Sequence, residues 1–261
     1  MRAPERDSIV QVEDVTLAYG DDIIQEHLSF AVHAREVFAI LGPSGTGKST
    51  LLRAMTGLYH PPHGRILLNG NDIASAEGDE RSRLLRQVGV TFQSGALFGS
   101  MTLLENVRLA IDELTDLDAA EKDLVARAKL NQVGLGGEGG KMPAELSGGM
   151  QKRAAIARAM ALDPCALFLD EPSAGLDPIA SAELDRLVRE LSRELGITFV
   201  VVTHELESVY AIADRCILLD REARAVIAEG KPADLRDYSR DPRVRRFFRR
   251  ELEPDRGAMA V

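Results

Sequence analysis

The spacing of apolar residues changes character twice along this chain. From Ile9 to Tyr19 they stand at Val10, Val12, Val15, Leu17 and Tyr19. That is mostly period two with one irregularity, the pattern of a half-buried strand. Further strand-like segments are His27 to Val32, Glu36 to Leu41, Arg65 to Leu68 and Gln87 to Phe92. After Glu36 the second of these is continuously apolar, as in a buried strand. Asn69-Gly70 directly after Leu68 predicts a tight hairpin turn. The first third of the chain is therefore read as strand-rich.

From Met101 the period becomes helical. Met101 to Leu109, Ala119 to Val133 and Gly148 to Leu162 read as helices, and the Gly-rich stretch 134–140 reads as a connection. Strand and helix then alternate: strand Ala166 to Asp170, helix Ile179 to Leu195, strand Thr198 to Thr203, helix Glu205 to Ala213, strand Arg215 to Leu219. Such alternation predicts a parallel sheet wrapped by helices. The expected fold class is α/β, with a helical block inserted between two halves of one sheet.

Composition narrows this further. A chain of 261 residues suits one large α/β domain or a core with an inserted subdomain. Hydrophobic residues make up 45%, enough for a substantial core. Apolar runs such as Thr198 to Val202 are far too short to span a bilayer. Met1 to Asp7 carry mixed charge and no apolar stretch, so no signal peptide is expected. A net charge of −9 argues against a general nucleic-acid binder. Cys165 and Cys216 lack metal-type spacing and are expected as buried, reduced thiols in strands of a cytosolic protein.

The chemistry concentrates in one loop. Gly42, Pro43, Ser44, Gly45, Thr46, Gly47, Lys48 and Ser49 form G-x-x-x-x-G-K-[ST], between the strand ending at Leu41 and a helix predicted over Lys48 to Leu58. The glycines let the backbone close around phosphate oxygens. The helix start offers free N–H groups and the positive end of its dipole. Lys48 is placed to reach the β- and γ-phosphates, and the Ser49 hydroxyl to hold Mg²⁺. A nucleoside triphosphate is the expected ligand.

Two further motifs gain meaning from that loop. The strand Ala166 to Asp170 delivers Asp170 and Glu171 to the carboxyl edge of the sheet, where open α/β sheets bind ligands. Asp170 is expected in the Mg²⁺ shell, and Glu171 is expected to orient or deprotonate an attacking water. Without the loop, two solvated acids would be the better reading. Ser147 looks like the N-cap of a basic helix whose first turn, Gly148-Gly149, is bare backbone. Such a helix start is a second anion site.

In their order along the chain these motifs resemble ATP-binding cassette (ABC) ATPases, from about Ile9 to Gly230. The resemblance implies a phosphate-loop core with an N-terminal antiparallel β subdomain and an α-helical subdomain inserted at about 94–162. It implies an ATPase domain over 9–240, followed by a basic tail over 241–261. It implies ATP and Mg²⁺ as cofactors, held by Gly42 to Ser49 and Thr50. Tyr19 looks like the residue stacking on adenine, and Gln93 like the glutamine that senses Mg²⁺ and the membrane partner. Leu146 to Met150 looks like the signature, with Met150 where Gln is commonest. Ser173 to Asp177 looks like the segment that carries signals across a dimer. His204 looks like the switch that contacts the γ-phosphate beside the catalytic Glu171. In this family Ser147, Gly148 and Gly149 of one subunit cap the ATP held by the other, which implies a homodimer.

Three shorter segments are similar to the ATPase subunit of MCE-associated lipid transporters of the Mla type: 92–98 (Phe-Gln-Ser-Gly-Ala-Leu-Phe), 142–145 and 241–247. That similarity implies a membrane permease, a periplasmic MCE-domain protein, a small STAS-domain subunit, phospholipid cargo and a place on the cytoplasmic face of the inner membrane. The apolar tip Ala96 to Phe98 suits permease docking or plain core packing. The arginines 243, 245, 246, 249 and 250 form a basic island, expected to contact a partner. Other readings stay open. Another ABC importer, for an amino acid or metal ion, would carry the same motifs. ABC ATPases acting on ribosomes usually hold two cassettes per chain. Those acting on DNA ends insert a long coiled coil, whereas about a hundred residues without sustained heptads separate Lys48 from Ser147 here.

Overall fold

The computed structural model describes residues 7–93 and 95–251. Residues 1–6 of the N-terminal segment, Ser94 and residues 252–261 of the basic tail lie outside the described residues. In chain order the strands are β1 (Ser8–Tyr19), β2 (Asp22–His33), β3 (Val37–Leu41), β4 (His63–Leu68), β5 (Asn71–Asp72), β6 (Val88–Thr91), β7 (Ala166–Asp170), β8 (Thr198–Val202), β9 (Arg215–Asp220) and β10 (Ala225–Gly230). The helices are α1 (Lys48–Met55), α2 (Gly78–Leu85), α3 (Leu103–Leu114), α4 (Ala119–Gln132), α5 (Gly148–Ala159), α6 (Pro178–Leu195), α7 (Leu206–Ile212), α8 (Pro232–Tyr238) and α9 (Pro242–Arg249).

The strands form two sheets. The first is antiparallel, in the order β2-β1-β4-β5. Asn69 and Gly70, at φ +49° and +80°, make the expected turn between β4 and β5. The second has the order β10-β9-β3-β8-β7-β6, parallel throughout except for β10, which returns antiparallel beside β9. β3, β8 and the first four residues of β7 are buried on both faces, as helices or a second sheet cover both sides. One face packs against the first sheet and α1, where Phe38 stacks on Phe30 at 5.6 Å, beside Leu51, Leu52 and Met55. The other packs against α3, α4, α5 and α6 through Leu103, Leu130, Ile156, Leu184 and Phe199.

Local signals place most of these elements. Thr102 starts α3 in a reciprocal capping box with Glu105, and Asp118 starts α4 in another with Glu121. Glu36, expected to open a strand, instead sits buried before β3 and accepts from Arg215 at 2.8 Å and from the His33 N–H at 2.7 Å. Cys165 departs from expectation too. It precedes β7, is half-buried, and donates its thiol to the Gln87 carbonyl at 3.3 Å. Cys216 is buried in β9, and desolvation pushes its thiol up to about 12. Both cysteines are free.

The basic island folds largely onto its own chain. Arg243 pairs with Asp241 at 2.8 Å and Asp220 at 3.3 Å, Arg245 donates to the Ser239 carbonyl at 2.9 Å, and Arg250 faces Glu207 at 3.4 Å. Val244 and Phe248 anchor α9 in a small core with Leu206, Val209 and Leu218. Among the described residues, no helix is long and apolar enough to cross a membrane.

Gly89 sets how closely α5 approaches the parallel sheet. A Cβ there would stand 2.3 Å from the Ala159 carbonyl oxygen and 2.3 Å from a Leu167 methyl carbon. Gly89→Ala should therefore cost about 1–3 kcal/mol of overpacking strain. Denaturant unfolding with an unchanged m-value checks this, and wild-type stability would contradict it.

Candidate active site

Five parallel strands end at one edge of the second sheet. β3 lies between β9 and β8, and β7 and β6 follow beyond β8. Along that edge the order is therefore Asp220, the loop from Gly42, His204, Asp170 with Glu171, and Gln93. This is the edge where ligands bind in open α/β folds.

The loop leaves β3 through Gly42 and closes onto α1. A Cβ on Gly42 would lie 2.8 Å from the Leu219 carbonyl oxygen, and one on Gly47, at φ +87°, 2.7 Å from Ile24 Cγ2. At Gly47 only glycine combines that backbone conformation with so close a neighbour. Gly47 is also the N-cap of α1 and provides no side chain to occupy the first-turn N–H groups. Lys48 Nζ donates to the carbonyls of Gly42, at 2.8 Å, and Pro43, at 3.0 Å. Burial lowers the affinity of this amine for its proton, against the pull of Glu171 and Asp170. Thr46 Oγ1 donates to the Pro43 carbonyl at 2.9 Å.

The acids stand opposite. Ser49 Oγ donates to Asp170 Oδ1 at 3.3 Å. Burial pushes the half-buried Asp170 carboxyl up from its ordinary pKa, and the Ser49 hydrogen bond opposes that shift. One hydroxyl and one carboxylate are the hard oxygen donors that suit Mg²⁺ completed by phosphate and water. Glu171 adopts φ +47°, a conformation uncommon for a side-chain-bearing residue, and its N–H donates to the Val202 carbonyl at 2.8 Å. Its Oε1 lies 2.8 Å from His204 Nδ1, while its Oε2 is buried without a partner. Free helix N–H groups, a buried lysine, hard donors and an orphaned carboxylate oxygen together fit a nucleoside triphosphate with Mg²⁺ and a reacting water.

Tyr19 is exposed at the side of the loop, edge-on to Tyr59 with centroids 5.9 Å apart, and its hydroxyl lies 3.2 Å from Thr50 Oγ1. Gln93 is exposed, and its carbonyl accepts from Lys152 Nζ of α5. A recess of about 540 Å³ lined by Arg53, Gln93, Asp170 and Gly175 joins it to Asp170.

A second cluster forms where α5 and α6 begin. Ser147 caps α5, accepting from the Met150 N–H at 3.3 Å. Gly148 and Gly149 face Leu176 and Ala180, which Cβ atoms there would meet at 3.3 and 3.4 Å. Asp177 caps α6, its Oδ1 accepting from the N–H groups of Ile179 and Ala180, each at 3.0 Å. Among the described residues, no hydrogen bond joins Ser147, Gly148 or Gly149 to loop 42–49. Of the residues expected from sequence, the structure gathers the loop, Asp170, Glu171, His204, Gln93, Tyr19 and Thr50 around one edge, and Ser147 to Gly149 with Asp177 in a separate group.

Sequence reading missed Gln25, whose side chain donates to the Thr46 carbonyl of the loop. His27 explains why. Its positive φ of +53° accompanies an irregular register, in which Val15 faces Leu28 but Leu17 faces Gln25. A strict period of two from Leu28 would turn Gln25 outward, and the extra residue turns it inward.

Fold and site together define a P-loop ATPase of the cassette type. Residues 25–174 match the family described as ABC transporter, and the chain belongs to that family. It is 41% identical to the intermembrane phospholipid transport system ATP-binding protein MlaF of Escherichia coli K12, over 92% of this chain and 88% of that one. It is 39% identical to MlaF of Haemophilus influenzae, over 94% and 92%. It is 38% identical to the probable ribonucleotide transport ATP-binding protein mkl of Mycobacterium leprae, over 92% of this chain and 68% of that one. Among solved structures, cbiO1 from Clostridium perfringens, part of the ABC transporter complex cbiONQ, superposes with a TM-score of 0.81 at 31% identity, covering 88% of this chain and 90% of that one. The cassette MJ0796, a dimer in a post-hydrolysis state bound to ADP and Pi, gives 0.75 at 31% identity, covering 85% and 98%.

The raised pKa of Asp170 has a consequence for stability. A carboxyl whose pKa is higher in the fold than in the open chain weakens the fold as pH rises above the ordinary value of about 4. Asp170→Asn should therefore raise the melting temperature of the nucleotide-free chain by a few degrees at pH 7. The gain should shrink towards pH 4, while ATP hydrolysis is lost. Equal melting temperatures at both pH values would contradict the assignment.

Proposed function

We propose that this chain is the ATP-hydrolysing subunit of a transporter that moves phospholipid between the inner and outer membranes. The observation that carries the ATPase mechanism is the separation of the two anion-binding helix starts. Loop 42–49 and Ser147 to Gly149 are not joined within one chain, so two copies arranged head to tail complete two sites. Residues 9–240 are read as the ATPase domain, with the helical subdomain inserted at about 94–162.

Each residue then has a task. Tyr19 stacks on adenine, and loop 42–49 with Thr50 wraps the phosphates. Lys48 Nζ exchanges the Gly42 and Pro43 carbonyls for phosphate oxygens. Ser49, Asp170 and Gln93 would hold Mg²⁺, which would supply neutralisation of developing phosphate charge. Glu171 orients the attacking water or takes its proton, with His204 Nδ1 against its Oε1. Ser147, Gly148 and Gly149 of the second copy cap the phosphates, and Asp177 holds the start of α6 beside them. ATP favours the closed pair because only that state contacts it from both sides, and hydrolysis removes the preference.

The phospholipid cargo rests on the MlaF relatives, which are matched over most of both chains. The name of mkl supports ribonucleotide as the competing cargo. The proposed partners are an integral membrane permease, a periplasmic MCE-domain protein and a small STAS-domain subunit, with the ATPase pair on the cytoplasmic face of the inner membrane. Nucleic acid is not a partner in this reading. A recess of about 680 Å³, lined in part by Leu85, Val90, Phe92, Ala96, Phe98 and Leu114, suits an apolar helix of the permease. Phe98 is exposed there, whereas Leu97 packs against the helical core.

Two outcomes are expected. Glu171→Gln should lower ATP turnover on the order of a hundredfold or more while retaining ATP affinity, as read by phosphate release and nucleotide binding. Undiminished turnover would remove Glu171 from the reaction. Purification of the tagged chain from native membranes should bring a permease and an MCE-domain protein with bound phospholipid, identified by mass spectrometry. A permease with a solute-binding protein, or with ribonucleotide, would replace the lipid reading.

A further inference from the structure

Gln25 is fully buried in β2. Its Nε2 donates to two main-chain carbonyls, Thr46 at 2.9 Å and Asp220 at 3.0 Å. Both partners only accept, so the amide nitrogen must face them, and a flipped amide would crowd three oxygens together. The remaining atom, Oε1, is buried without a partner. For stability alone this is a poor arrangement, since an apolar side chain of similar volume would leave no orphaned acceptor. The geometry therefore serves the position of the two carbonyls.

Those carbonyls belong to different parts of the site. Thr46 lies between Gly45 and Gly47, at φ +79° and +87°, where neither sheet nor helix fixes the backbone. Its own N–H makes only a long bond, 3.4 Å, to the Pro43 carbonyl. The peptide unit is planar and trans, so holding the Thr46 carbonyl towards β2 turns the Gly47 N–H to the opposite side. Asp220 ends β9, and its carboxylate accepts from the Ala223 N–H at 2.7 Å and from Arg243 of α9 at 3.3 Å. It is thus a braced anchor. Ile24, beside Gln25, already closes on Gly47, so β2 and the loop are in direct contact.

We propose that Gln25 is a positioning residue for nucleotide binding. Its amide holds the Thr46–Gly47 peptide so that the Gly47 N–H faces a bound phosphate, with the Asp220 carbonyl as the fixed end of the bridge. This rests on the reading of loop 42–49 as the ATP site.

The test uses the full chain with two substitutions. Gln25→Met keeps the length and removes both donors. Gln25→Glu keeps the shape and turns a carboxylate towards two carbonyls. ATP affinity, the KM and kcat of hydrolysis, and melting without nucleotide are measured for each. Gln25→Met should weaken ATP binding roughly 5- to 20-fold, the effect of one or two hydrogen bonds. KM should rise while kcat changes little, and Gln25→Glu should be weaker still. If Gln25→Met does not fold, Gln25→Asn, one methylene too short to bridge both carbonyls, replaces it with the same expectation. A lowered melting temperature with wild-type ATP affinity and KM would overturn the positioning role and leave the ATP site intact. Wild-type chain that binds no ATP, indistinguishable from Lys48→Ala, would overturn the site and this proposal together.

Discussion

The parallel ladder from β3 through β8 to β7 is the constraint on which the site depends. Ile40 faces Val202, and Val202 in turn faces Asp170. This register brings the end of β3, where the loop begins, level with the end of β7, where the acids begin. Two hydrogen bonds extend the alignment beyond the strands: the Thr203 N–H reaches the Ile40 carbonyl at 3.4 Å, and the Glu171 N–H reaches the Val202 carbonyl at 2.8 Å. A slip of one residue would exchange side chains fitted to two different core layers and carry Asp170 away from Ser49. Because the core is covered on both sides, such a slip is strongly disfavoured, and the catalytic geometry is a by-product of packing.

The helical block carries the Ser147-capped start of α5, and it is fastened separately. α5 lies against β6 at Gly89, where there is room only for hydrogen, and Lys152 ties its first turns to the Gln93 carbonyl. Asp177 caps α6 beside the same glycines, so one small region joins the start of two helices. A bound nucleotide can shift this arrangement only through contacts that differ between open and closed states. A phosphate touched by both the loop and a second chain's signature is such a contact.

Much of this was legible in the sequence because the signals were local. The apolar run before Gly42, the loop, the acids after Phe168 and Leu169, and the caps Ser147 and Asp177 each carry their meaning within a few residues. The Asn69-Gly70 turn is legible for the same reason. Features set by distant contacts were not. The bulge at His27 reverses the facing of Gln25, and a period-two count cannot reveal it. The sequence pattern does not predict α2, β10 or α8, which are short and only partly buried. Cys165 sits outside its expected strand because β7 begins one residue later, where pairing with Val88 starts. The acids beside Arg243 and Arg250, Asp220 and Glu207, come from distant parts of the chain, so these pairs are not legible locally either.

In the proposed mechanism each ATP site is built from two copies, the loop of one against the signature of the other. Ser44 and Ser147 are both exposed and suit a direct test. A chain carrying Ser44→Cys and Ser147→Cys, with Cys165 and Cys216 replaced by serine, would be oxidised in native membranes with and without ATP. A covalent dimer formed in an ATP-dependent manner is the predicted result. A cross-link closed within a single chain, or none that responds to ATP, would contradict the account.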